Sequence, residues 1–142
     1  MLEQESTNKE RTKRTRVQSA ARIMVVDDAA EIRELVRTIL GSLGRVRVME
    51  ASTTEQALRQ ARRGKLDLVI TDVRRPQGAD GLTLLKELKR AHPGLAVILF
   101  TGQRTTSVRP RARGALAVIS KSGGPQRLLT VIRKALKRDK TA

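Results

Sequence analysis

The fold of this chain is decided by Ile23-Met24-Val25-Val26-Asp27-Asp28 and by three later stretches built the same way. Leu68-Val69-Ile70-Thr71 ends in Asp72. Val97-Ile98-Leu99-Phe100 ends in Thr101-Gly102. Leu116-Ala117-Val118-Ile119 ends, after Ser120, in Lys121. Short aliphatic runs bounded by polar residues read as buried strands. Ligand sites in open α/β sheets lie outside the carboxyl ends of the strands. If these runs are parallel strands of one sheet, three carboxylates, a hydroxyl and an ammonium converge on one rim.

Working outward, the segments between the runs carry helical spacing. Ile32, Leu35, Val36, Ile39 and Leu40 form one apolar stripe, which Gly41 or Gly44 can end. Val46 to Met49, alternating with Arg47, reads as a peripheral strand. Ser52-Thr53-Thr54-Glu55-Gln56 offers two overlapping capping boxes, Ser52 with Glu55 and Thr53 with Gln56, opening a helix that Gly64 stops. Leu82, Leu85 and Leu88 mark a third helix, ended before His92-Pro93-Gly94. His92 has no second His and no Cys nearby and reads as a surface residue. Thr105 to Pro110 is poor helix material, because Pro110 lacks an N–H and clashes with the preceding turn; a short or frayed helix is expected. Gly124-Pro125 opens a last helix, with Leu128, Leu129, Ile132 and Leu136 inward and Arg127, Arg133, Lys134, Lys137 and Arg138 outward.

Strands alternating with helices imply an α/β fold, a doubly wound parallel sheet with helices on both faces. Right-handed crossovers restrict the topology. Five strands in the order 2-1-3-4-5 put strands one and three side by side, where Asp27, Asp28 and Asp72 would meet.

At 142 residues the chain suits one domain with tails. Residues 1–21 are polar and basic and read as a disordered arm, 22–138 as the domain, and 139–142 as a tail. With no Cys, disulfides and thiolate metal sites are excluded. One Phe and no Tyr or Trp leave little to stack on nucleic-acid bases. No apolar run is long enough to span a membrane, and Met1-Leu2-Glu3-Gln4-Glu5 lacks the apolar stretch of a secretion signal, so the chain reads as cytoplasmic. The net charge of +16 fits an anionic partner, or Arg used freely on a solvated surface.

Crowded carboxylates repel, by roughly 4 kcal/mol for one pair at about 4 Å and an effective dielectric near 20. Either a pKa rises or a cation sits among them. Mg²⁺ suits oxygen ligands with one or two carboxylates and a phosphate, and Lys121 adds a second positive charge. A carboxylate so placed can attack phosphorus and hold an acyl phosphate. Thr101 could donate its hydroxyl to a phosphoryl oxygen, and Gly102 leaves space for it. Singly, each piece has an ordinary reading: Asp27-Asp28 as a helix N-cap, Asp72 and Thr101-Gly102 as turn residues, Lys121 as a solvated cation. Their recurrence at successive strand ends is what an ordinary reading does not supply.

Over residues 22–138 the chain resembles the receiver domain of two-component response regulators. Asp27-Asp28, Asp72, Thr101-Gly102 and Lys121 carry the resemblance, with Pro76 and Asp80-Gly81 resembling the loop after the acceptor aspartate. It implies a flavodoxin-like sheet and a role for each residue. Asp72 would be the phosphoacceptor, Thr101 the switch hydroxyl and Lys121 the phosphoryl-pairing cation. Asp28 would bind Mg²⁺ directly, Asp27 mainly through water, and Arg74 through its main-chain carbonyl. The donor would be the phosphohistidine of a sensor histidine kinase or phosphotransfer protein.

The chain also departs from the family pattern. Val118 stands where an aromatic residue is usual, Ser122 where Pro usually follows the lysine, and Arg75 where an apolar residue usually precedes Pro76. Gln77-Gly78-Ala79 makes the loop one residue longer than usual. Only 21 residues follow Lys121, so a separate DNA-binding output domain is not expected. The reading is a stand-alone receiver in a phosphorelay, a phosphorylated switch rather than an enzyme, signalling to an output protein that the basic charge suggests is acidic. One alternative is an aspartyl-phosphate phosphohydrolase, which usually has a second Asp two residues after the nucleophile; here Arg74 stands there. The other is a basic nucleic-acid-binding module on a receiver fold.

Overall fold

In a computed structural model of the chain, residues 20–74 and 80–141 are described, with side chains as far as Lys137. Five parallel strands, β1 (Ala21–Val26), β2 (Val46–Ala51), β3 (Leu68–Thr71), β4 (Ala96–Thr101) and β5 (Ala117–Ser120), form one sheet in the order β2-β1-β3-β4-β5. The helices are α1 (Ala30–Gly41), α2 (Thr54–Arg63), α3 (Gly81–Ala91), α4 (Thr105–Val108) and α5 (Pro125–Thr141). The expected topology is the one observed.

Strand alternation sorts the core into two layers. Ile23, Val25, Ile70, Ile98, Phe100 and Ile119 pack with Val36, Ile39 and Leu40 of α1 and Leu128 and Ile132 of α5. Met24, Val26, Val69, Val97, Leu99 and Val118 face the other way, onto Ala57 and Ala61 of α2, Leu84, Leu85 and Leu88 of α3, and Val108 of α4. Every residue of β3 is buried, as expected for a central strand covered on both faces. Strand β2 lies at an edge, and its exposed Arg47 agrees with a peripheral position.

Local chemistry explains the helix starts. Thr53 caps α2, its hydroxyl accepting the N–H of Gln56 at 3.1 Å. Gln56 reaches back to Ser52 rather than to Thr53, accepting from its N–H at 2.9 Å and its hydroxyl at 3.0 Å. The Thr53–Gln56 alternative therefore sets the start, while Glu55 is exposed. Asp80 caps α3 through the N–H of Thr83 at 3.0 Å. Pro110 has the expected effect: α4 is a single turn, followed by a 3-10 turn over Arg109–Arg111.

Some sequence expectations are corrected. Leu35 sits on the predicted apolar stripe but is 44% exposed; Val36, Ile39 and Leu40 already fill the surface that α1 presents to the sheet. Leu116 precedes β5 and is exposed. His92 is half-buried, its N–H bonded to the Leu88 carbonyl as α3 ends. Helix α5 continues through Thr141, into the stretch expected as a tail. The predicted N-terminal arm falls almost wholly outside the described residues, as do Arg75, Pro76, Gln77-Gly78-Ala79 and the side chain of Arg138.

Candidate functional site

Main-chain hydrogen bonds running one residue past the strand ends position two of the three carboxylates. The N–H of Asp27 donates to the Ala51 carbonyl of β2 at 3.1 Å, and the N–H of Asp72 to the Val26 carbonyl of β1 at 3.0 Å. Both residues are thereby fixed at the rim, and both are nearly fully buried, at 2% and 3%. Asp28, next in chain, is exposed. Carboxylate oxygens of Asp27, Asp28 and Asp72 all lie within 4.8 Å of one another. Three converging hard oxygen donors, one open to solvent, form a donor set that fits Mg²⁺.

Lys121 follows β5 directly, and its ammonium lies 2.8 Å from Oδ2 of Asp27. The other oxygen, Oδ1, accepts the N–H of Ala29 at 2.9 Å. An ammonium and a main-chain N–H thus donate to its two oxygens. Its main-chain carbonyl receives Arg33 Nη1 at 2.7 Å. Arg33 Nε meets Glu50 Oε1 at 3.1 Å, and Arg37 Nη2 meets Glu50 Oε2 at 2.8 Å. These bonds hold the Glu50 carboxyl below its ordinary range, the Arg37 hydrogen bond most of all and Arg33 in addition, against the opposing effect of burial. Helix α1, β2 and the loop bearing Asp27 are thus tied together on one side of the site.

Across the sheet, Thr101 is buried at the end of β4 and its hydroxyl accepts the N–H of Gln103 at 2.9 Å. The hydroxyl proton remains to donate. The space beside Gly102 is open, and a Cβ there would meet nothing within 4 Å, so glycine is not sterically required. Arg74 follows Val73 at the rim with its side chain exposed.

Sequence reasoning missed Arg33 and Glu50. Their only local signal is the spacing of Arg33 and Arg37 one turn apart on α1; the pairing of β2 beside β1 is what brings Glu50 opposite. The tightness of Gly81 was missed as well. A side chain there would overlap the main chain of Asp72, and its N–H donates to the Val73 carbonyl at 2.7 Å.

Among the described residues, no helix is long and apolar enough to cross a membrane. A family model described as response regulator receiver domain matches residues 23–133. The chain is 34% identical over 119 residues to the chemotaxis protein CheY of Bacillus subtilis (strain 168), covering 82% of this chain and 98% of that protein. It is 36% identical over 123 residues to the DNA-binding transcriptional regulator NtrC of Azospirillum brasilense, covering 83% of this chain but only 24% of that protein. The response regulator protein TrrA of Thermotoga maritima, solved in complex with Mg(2+)-BeF, superimposes with a TM-score of 0.75 at 30% identity, over 81% of this chain and 98% of that one. With its sheet order, acidic cluster and family match in agreement, the chain belongs to the response regulator receiver domain family.

Proposed function

We propose that residues 22–138 act as a phosphorylated switch whose acceptor is Asp72. The observation that carries this reading is the buried Asp72 carboxylate meeting Asp27 and Asp28 within 4.8 Å, beside the Lys121–Asp27 pair. In the step envisaged, one carboxylate oxygen of Asp72 forms a bond to phosphorus as the P–N bond of a phosphohistidine breaks. The electron pair leaves with the imidazole nitrogen, which takes a proton from solvent. Asp27, Asp28, Asp72 and the main-chain carbonyl of Arg74 are the groups that would hold Mg²⁺, which when bound supplies positive charge against the phosphoryl oxygens.

The chain's own residues do the rest. The main-chain bond to Val26 orients Asp72. Lys121 holds Asp27 before transfer and offers its ammonium to the phosphoryl group afterwards. Thr101 turns its hydroxyl proton toward the new oxygens. The phosphoryl donor is a sensor histidine kinase or a phosphotransfer protein, and the signal passes on through protein contacts. The phosphoryl group stays on the chain and no separate substrate is turned over.

Two alternatives fit less well. Arg74 stands where a phosphohydrolase would carry its second Asp. A nucleic-acid reader that stacks on bases would need aromatic side chains, and the chain has one Phe and no Tyr or Trp. The test is incubation with acetyl phosphate and Mg²⁺, read by intact mass. Wild type should gain one phosphoryl group and Asp72→Asn none. Equal uptake by both would overturn the assignment.

A further inference from the structure

The end of the sheet opposite Asp72 holds a second cationic feature. A cleft of about 980 Å³ opens there between the end of α2, the start of β3 and the α3–β4 connection. Ala61, Leu66 and Leu95 line it with apolar surface, His92 and Pro93 form one wall, and Arg22, Arg62, Arg63 and Lys65 supply four cations. The one carboxylate, Asp67, is engaged by the backbone: its Oδ2 accepts the main-chain N–H of Arg22 at 2.7 Å.

Helix ends explain part of this charge, since Arg62 and Arg63 lie in the last turn of α2, where cations complement the helix dipole. They do not explain Arg22, which belongs to a strand. Its guanidinium is laid across Gly64, close enough that a Cβ there would come within 2.9 Å of Nη2. Its Nε is buried with no hydrogen-bond partner among the described residues. None of the four cations has an ion-pair partner among those residues. Arg62, Arg63 and Lys65 are exposed and Arg22 is half-buried, so an anion in the cleft would meet three solvated cations and one partly removed from water.

We propose that this cleft binds a phosphate-chain ligand, with phosphates on the Arg22, Arg62 and Lys65 side. The volume is that of a small-molecule site. The apolar lining and the His92–Pro93 wall would receive an uncharged moiety attached to the chain. The site is spatially separate from Asp72, roughly 17 Å from the rim along β1 at about 3.3 Å per residue, so it does not rest on the phosphorylation reading.

The test is calorimetric titration of the full chain with ATP and with inorganic tripolyphosphate. Mg²⁺ is chelated and salt held at about 0.15 M to screen distant charges. Both probes should bind wild type, and Arg62→Ala/Lys65→Ala, at exposed positions, should weaken them about tenfold. Arg133→Ala/Lys134→Ala on α5 removes the same charge elsewhere and should change affinity less than about twofold. Tighter binding of ATP than of tripolyphosphate assigns a nucleotide; equal binding assigns the phosphate chain alone. Absence of binding to wild type, or equal losses in the two double variants, would overturn the proposal.

Discussion

The α-carbon of Gly81 packs directly on the main chain of Asp72, so that a methyl group at position 81 would overlap the Asp72 carbonyl oxygen. The contact joins the first residue of α3 to the residue that follows β3. Backbone cannot swing aside as a flexible side chain can, so a Gly81→Ala substitution must displace Asp72 or the start of α3. We expect a loss of about 1–3 kcal/mol of stability, the range for overpacking, and slower phosphorylation by acetyl phosphate. Gly102→Ala, after the neighbouring strand β4, has open space and should stay within about 0.5 kcal/mol of wild type. Urea melts and intact-mass time courses check both.

The acidic cluster should be a stability burden that Mg²⁺ relieves. Asp28→Asn removes one of three mutually repelling charges at an exposed position, and should raise the melting temperature in metal-free buffer. Mg²⁺ should stabilise wild type by about 1.4–2.7 kcal/mol at 10 to 100 times its dissociation constant, and the variant much less. Thermal melts with and without Mg²⁺ decide this. An equal metal response in both proteins would remove Asp28 from the metal site.

Glu50 links stability to pH. Its folded pKa lies below the ordinary value of 4.5, mainly through Arg37, so the folded state favours the carboxylate. The resulting stabilisation is present above 4.5 and fades as pH falls through the lowered folded value. The side chain is 34% exposed, so screening keeps the effect to a few tenths of a kcal/mol, about 1 at most. Glu50→Gln should be less stable than wild type at neutral pH, with the difference shrinking on acidification and in high salt.

Val118 is 7% exposed and packs in the same layer as Leu99, Val108 and Ala112. It has neither the size nor the two alternative sites of the aromatic residue usual in the family. Coupling from Asp72 to β5 should therefore be weak, and the response should fall on the single-turn α4 and its 3-10 extension. Hydrogen exchange with beryllofluoride should change protection in residues 103–114 more than in 116–119. The reverse pattern would show that β5 transmits the signal.

From Gly102 onward the chain carries eleven Lys or Arg against one acid, Asp139. Arg104, Arg109, Arg111 and Arg113 are exposed around α4, and Arg127, Arg133, Lys134 and Lys137 on α5. A field of one sign steers an acidic protein and acts mainly on the association rate. Reversing Arg133, Lys134 and Lys137 to Glu should slow association with an output partner, and added salt should slow wild type similarly. Stopped-flow rates unchanged by both would dismiss this surface as a docking face.

The sequence alone was enough to place Asp27, Asp72, Thr101 and Lys121 at strand ends. Aliphatic runs such as Ile23–Val26 and Leu68–Thr71 form buried strands through local pattern, and a parallel sheet turns the residues after them toward one rim. The same locality made the α4 weakness legible through Pro110. What stayed illegible depends on contacts between distant segments. Sequence cannot say that Lys121 bonds Asp27, 94 residues away. Nor can it say that Glu50 pairs with Arg33, or that Gly81 packs against the backbone of Asp72. Leu35 belonged to the apolar stripe, yet its exposure depended on how α1 rolls against the sheet. Periodicity is written into each segment by backbone geometry. Which charge meets which, and how close two backbones come, is decided only when register and packing bring those segments together.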